Sequence, residues 1–136
     1  MPSNTRLPLA LVWLRLGVFV VMLMWTIDKF VRPQHTAAVF QHFYAMPGLK
    51  APLAYLLGAL ELAILIGFVL GFQKRLTHGA VFVLHGVSTL ASFRQYLAPF
   101  EGNNLLFYAA WPMWAACFAL YYLRDLDTLC VLDKPA

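Results

Sequence analysis

Four stretches of the chain, 7–27, 51–72, 76–97 and 104–123, are each apolar over about the length a helix needs to cross a bilayer. A hydrocarbon core about 30 Å thick takes ~20 such residues per span. With no water inside that layer, every backbone amide and carbonyl must find its partner within the segment, which leaves the helix as the solution for separate spans. The reading is therefore all-α: a four-transmembrane-helix bundle, one integral membrane domain over residues 1–136. Composition agrees, since 62% of residues are hydrophobic and 12% charged, against about 45–50% and about 25% in a soluble domain. The connecting pieces are too short to form a second domain of the usual ~50 residues. A soluble enzyme, a nucleic-acid binder and a disulfide scaffold are excluded together.

The net charge of +4 comes from ten basic and six acidic residues, and it reads as topology rather than as a nucleic-acid partner. With the N-terminus inside, Arg6, Arg15, Lys74, Arg75, Arg124 and Lys134 fall on the cytoplasmic half, against Lys29, Arg32, Lys50 and Arg94 outside. The positive-inside rule then favours N-in and C-in, and short loops such as Gln73-Lys74-Arg75 weigh most. The first stretch is expected to be a retained span and not a signal peptide. It outruns an h-region of about 7–15 residues and lacks a small-residue cleavage pattern before Asp28-Lys29-Phe30. Cys117 and Cys130 form no CxxC pair, so dithiol chemistry, which needs two sulfurs close together, is not expected.

The loop 28–50 is long enough for structure of its own. Between Pro33 and Pro47, residues Val39, Phe40, Phe43, Tyr44 and Met46 place their bulk on one side of a helix, which predicts a short amphipathic helix in the membrane interface. Pro33 starts it and Pro47-Gly48 ends it. His35 and His42 share a face of that helix, and a metal role is not expected of them. Gly67-x-x-x-Gly71 predicts a close helix contact, and Pro112 a kink in the fourth span or a local gap in its hydrogen-bond ladder.

Ionisable side chains inside the spans are few and costly, about 2.5–3.5 kcal/mol each at a helix centre on insertion scales, so they normally face protein, water or ligand. Helical phase puts His78, His85, Thr89 and Ser92 on one side of span three. It likewise groups Ala54, Gly58, Glu61 and Leu65 on span two, and Arg15, Met22, Thr26 and Lys29 on span one. Counted from the cytoplasmic end of each span, Arg15 lies about 12 Å deep, Glu61 about 16 Å and His85 about 14 Å. The expectation is a buried polar cluster of Arg15, Glu61 and His85, with Arg15 and Glu61 as a charge pair. It is either a clamp fixing helix register or a working site. His78, Ser92, Arg94, Asp28 and Lys29 are secondary candidates. A bis-His haem is disfavoured, because His85 has no evident partner: His78 shares its helix, and His35 and His42 lie on the opposite side.

Leu14-Arg15-Leu16-Gly17 followed by Asp28-Lys29-Phe30 resembles the opening of the DoxX-like small membrane proteins. The run from Gly58 through Glu61, Gly67 and Gly71 to Arg75 looks like the second span of that family, and Leu126-Asp127-Thr128-Leu129 is similar to the short segment after its last span. The chain departs from the pattern at Arg124-Asp125-Leu126-Asp127, and neither His85 nor Arg94 belongs to it. The resemblance implies a multi-pass protein of the bacterial inner (cytoplasmic) membrane, linked to redox or sulfur chemistry, in some members as a small subunit of a quinone-reducing enzyme.

The leading expectation is an accessory subunit that packs against a membrane or periplasmic redox partner, or against copies of itself, and lines a quinone pocket with Glu61, Arg15 and His85. If the chain takes part in catalysis, it does so as a membrane subunit of a quinone-linked oxidoreductase. A small-solute or proton transporter and a ligand-free assembly or maturation factor are the alternatives.

Overall fold

The computed structural model describes residues 3–133, so Lys134, counted above for topology, lies outside the described residues. Six α-helices follow one another: α1 Ser3–Val31, α2 Pro33–Tyr44, α3 Ala51–Val69, α4 Lys74–Ala91, the short α5 Phe93–Leu97 and α6 Ala110–Tyr122. 3₁₀ segments precede and follow α6 at Asn104–Ala109 and Arg124–Leu126. No strand occurs among the described residues.

Three helical stretches, Thr5–Val31, Ala51–Val69 and Asn104–Tyr122, are long and apolar enough to cross a membrane. Only 11–22% of their most apolar residues are buried within the chain. Their outer faces are accordingly apolar, with Trp13, Met24, Leu56, Leu60 and Leu106 all more than half exposed. A surface of that kind wants an apolar surrounding or a partner. Helix α4 does not pass on apolarity, because one of its faces carries polar groups. That face points inward: Lys74, Thr77, His78 and Thr89 are buried beside Val81 and Gly86.

Several boundaries differ from expectation for identifiable reasons. Helix α1 continues through Asp28-Lys29-Phe30-Val31 rather than ending at Ile27, because the next proline after Pro8 is Pro33, which disfavours helix only at Arg32. Pro33 then opens α2, where its missing N–H is not needed. The expected helix is present, and it ends with Ala45 in the left-handed region and the Met46 N–H returned to Phe40 O. The third stretch is broken at Ser92 into α4 and α5. The fourth begins as 3₁₀ helix and turns α-helical only at Ala110. Pro112 therefore sits in the first turn of α6, just past the point where the hydrogen-bond ladder changes from 3₁₀ to α. Its ring would clash with the carbonyl of Tyr108 in a continuous α-helix, and the 3₁₀ segment removes that conflict.

The principal packing is α1 on α3 and α4 on α6, with α3 joined to α4 by a tight turn. Leu11, Val18, Leu65, Phe68, Val81, Cys117 and Leu120 form the buried core. Gly67 lets Thr77 of α4 approach: a Cβ added there would stand 2.8 Å from the threonine methyl. Gly71, at φ +62°, turns the chain between α3 and α4.

Past α6 the tail folds back under this turn. Leu132 N–H donates to Leu70 O and Asp133 N–H to Gly71 O. The Asp133 carboxylate accepts from the Gln73 and Lys74 amides at 2.6 and 2.8 Å, satisfying donors that the start of α4 leaves free.

Candidate functional site

Among the described residues, two clusters of ionisable groups involve side chains inside the apolar stretches, and neither is the expected trio. The first lies where the tail meets α1 and α4. Arg15, fully buried, donates from Nη1 to Asp127 Oδ1 at 2.9 Å, and from Nη2 to the carbonyls of Leu129 and Cys130. The other Asp127 oxygen meets His78 Nε2 at 2.9 Å. Lys74 Nζ reaches the carbonyls of Arg124 and Asp127 at 2.8 and 2.7 Å. One carboxylate thus stands among an arginine, a histidine and, through the backbone, a lysine. Arg15 Nε and His78 Nδ1 remain buried without a partner. Nearly every strong donor is met by tail carbonyls, so the arrangement ties the C-terminal segment to the bundle.

The second place is the α1–α3 groove. Glu61 Oε2 lies 3.1 Å from Lys29 Nζ and 3.1 Å from Thr26 Oγ1, whose hydroxyl also reaches Met22 O at 2.8 Å. This pair is partly open, with side-chain exposures of 12% for Lys29 and 23% for Glu61. One turn before Glu61, Gly58 admits the Phe30 ring: a Cβ there would come within 2.9 Å of it. Phe30 in turn lies nearly parallel to Tyr55, with centroids 6.2 Å apart. The groove therefore combines a cation, a hydroxyl and a carboxylate with an aromatic wall.

Arg15 and Glu61 do not pair. Glu61 comes level with Thr26, eleven residues and so about 16 Å along α1 from Arg15. Depths counted from each span's own end ignored the relative shift of two antiparallel helices, and α1 overruns its expected limits at both ends. His85 joins neither group; its Nε2 meets the carbonyl of Ala110 at 3.2 Å.

Among the secondary candidates, His78 belongs to the tail cluster and Lys29 to the groove. Asp28 holds Arg32 and His35 at the α1–α2 junction, where His35 also stacks on Trp25. Ser92 donates to Ser88 O, and Arg94 lies over the Phe93 ring. Asp127 and Lys74 are the buried charges that sequence reasoning missed. The available signal was an acidic residue just past the last apolar stretch, in a chain with six acidic residues and a buried arginine to satisfy.

No group of three or more histidine, cysteine, aspartate or glutamate side chains positioned to hold a metal occurs among the described residues. No family model, curated protein or solved structure matches the chain.

Proposed function

We propose that the chain is a four-span integral membrane protein, with α4 and α5 forming span three in addition to the three apolar ones. We further propose that it serves as an accessory subunit of a quinone-linked redox system in a bacterial inner membrane, as its DoxX-like features suggest. The inward polar face of α4 supports counting it as a span, since its Lys74, Thr77, His78 and Thr89 are hidden from any lipid.

The observation that carries the quinone reading is the partly exposed Glu61–Lys29 pair, braced by the buried Thr26, beside the Phe30–Tyr55 wall. A ligand pocket of this kind needs an apolar surface and a few convergent polar groups. Lys29 supplies a donor for a ring carbonyl, and Glu61, braced by the buried Thr26 hydroxyl, supplies a carboxylate able to hold or release a proton beside it. A bound quinone would provide the two-electron acceptor, with electrons delivered by the partner protein. Arg15, His78, Lys74 and Asp127 act in this account as the clamp that closes the bundle, and His85 has no part at the groove.

Mild-detergent extraction from native membranes, followed by mass spectrometry of co-purifying proteins and extraction of quinones, tests the reading. A stoichiometric redox partner and retained quinone are expected. Glu61→Gln should abolish quinone-dependent turnover of the assembled complex with expression near normal. A lone chain without quinone, or a Glu61→Gln variant that merely fails to accumulate, would overturn it.

A further inference from the structure

A cleft of about 290 Å³ opens at the other end of the bundle, between the C-terminal half of α2 and the α4–α5 break. It has room for about ten water volumes. Its polar lining comes from Gln41, His42, Arg94 and Gln95, and no carboxylate takes part. Phe43 and Phe93 supply aromatic surface on either side.

Contacts hold His42, Phe43, Tyr44 and Gln95 in place, while Gln41 is exposed and the exposed Arg94 lies over the Phe93 ring. His42 packs edge-on against Phe43 with centroids 4.7 Å apart, and its Nε2 lies 3.3 Å from Gln95 Nε2. Phe43 rests on Phe107, fixing α2 to the segment before α6. Tyr44 reaches Ser88 at 3.0 Å, closing one wall against α4. The Gln95 Oε1 atom is buried and unpaired. The Gln95 Nε2 amide beside His42 has a second N–H, which is the donor it can offer to an anion.

A guanidinium, an imidazole and two amides, with no acidic neighbour in the lining, form a receptor for an anion. The break at Ser92 ends α4 here, α2 crosses the same end, and the aromatics line the rim. In a membrane-spanning chain, that is the level of the headgroups. We propose that this cleft binds a phosphate group, presented by a phospholipid headgroup or by free phosphate. Arg94 supplies the charge, and Gln41, His42 and Gln95 the orienting contacts. The inference rests on the membrane-spanning reading above but not on the quinone site.

The test is native mass spectrometry of the delipidated, detergent-held chain with three probes: phosphatidylglycerol, diacylglycerol of the same acyl chains, and inorganic phosphate. The wild type should retain phosphatidylglycerol and not diacylglycerol. Arg94→Gln should weaken retention about tenfold, the order of one charge-assisted contact, while Arg94→Lys keeps most of it. Competition by inorganic phosphate identifies a free oxyanion as the occupant, and lipid retention without such competition identifies the headgroup. Should Arg94→Gln fail to fold, Gln41→Glu places a repelling carboxylate in the cleft and should give the same loss. Retention of diacylglycerol equal to that of phosphatidylglycerol, or unchanged lipid binding in the charge-altering variants, would overturn the proposal. Glu61→Gln should leave lipid retention unchanged, which separates this result from the quinone reading. A chain that stays soluble without detergent would instead refute the membrane reading itself.

Discussion

Replacing Asp127 by Asn should cost far more than one polar contact. The side chain keeps its shape and an acceptor for Arg15, but the negative charge is gone and an amide donor faces His78. Arg15 is fully buried and Lys74 nearly so, which leaves two cationic side chains in a dry site with only carbonyl dipoles against them. Removing one partner of a buried pair typically costs about 3–5 kcal/mol, which is roughly two to three and a half decades in the folding equilibrium. The assay is unfolding in mixed micelles with a rising fraction of sodium dodecyl sulfate, followed by tryptophan fluorescence, because Trp114 packs against Phe82 in the interior. Arg15→Met combined with Asp127→Leu should cost less than Asp127→Asn alone. The pair is then removed together, and Lys74 keeps its contacts to the Arg124 and Asp127 carbonyls. A loss below about 1 kcal/mol for Asp127→Asn, the range of an exposed ion pair, would refute the claim that this cluster clamps the tail.

Other consequences concern the same tail. The Lys74 amide holds the Asp133 carboxyl below its ordinary 3.8; burial opposes it less strongly, and the Gln73 amide adds to the lowering. A depressed value means the contribution is present above the unfolded pKa and lost as pH falls through the folded one. Protection of the Leu132 and Lys74 amides in hydrogen exchange should therefore hold from pH 8 to about 5 and fade below about 4. Gly71→Ala would set a Cβ 2.4 Å from Val131 Cγ1 at a φ of +62°. It should loosen the tail by about 1–2 kcal/mol from backbone strain alone, seen as faster proteolysis after Arg124. Cys130 is exposed and Cys117 buried, so a maleimide should label one thiol in the native protein and two only after unfolding.

Much of the fold was legible because apolar run length and helical phase are local properties. They marked the apolar helices and the helix beginning at Pro33, and they grouped His78, His85, Thr89 and Ser92 on one side of the third stretch, of which His78, Thr89 and Ser92 are buried. What they lacked was relative register. Phase says which side of α1 carries Arg15, but the level at which Glu61 arrives depends on how far α3 slides along α1, and that is set by the Phe30–Gly58 contact. Asp127 was illegible for a different reason. It lies 112 residues from Arg15, in a tail with no periodicity, and only the return of that tail beneath the α3–α4 turn brings the two together. The break at Ser92 and the 3₁₀ start of the last span were hidden inside apolar stretches that look continuous by composition.

The proposed quinone contact at Glu61 can be read out by photolabelling the assembled complex in native membranes with a photoreactive quinone analogue, followed by peptide mapping. A ring seated between α1 and α3 should concentrate the label on residues 25–30 and 55–61, with displacement by excess unlabelled quinone and loss in Glu61→Gln. Label spread evenly over the apolar outer faces, or unchanged by competition and by the substitution, would contradict it.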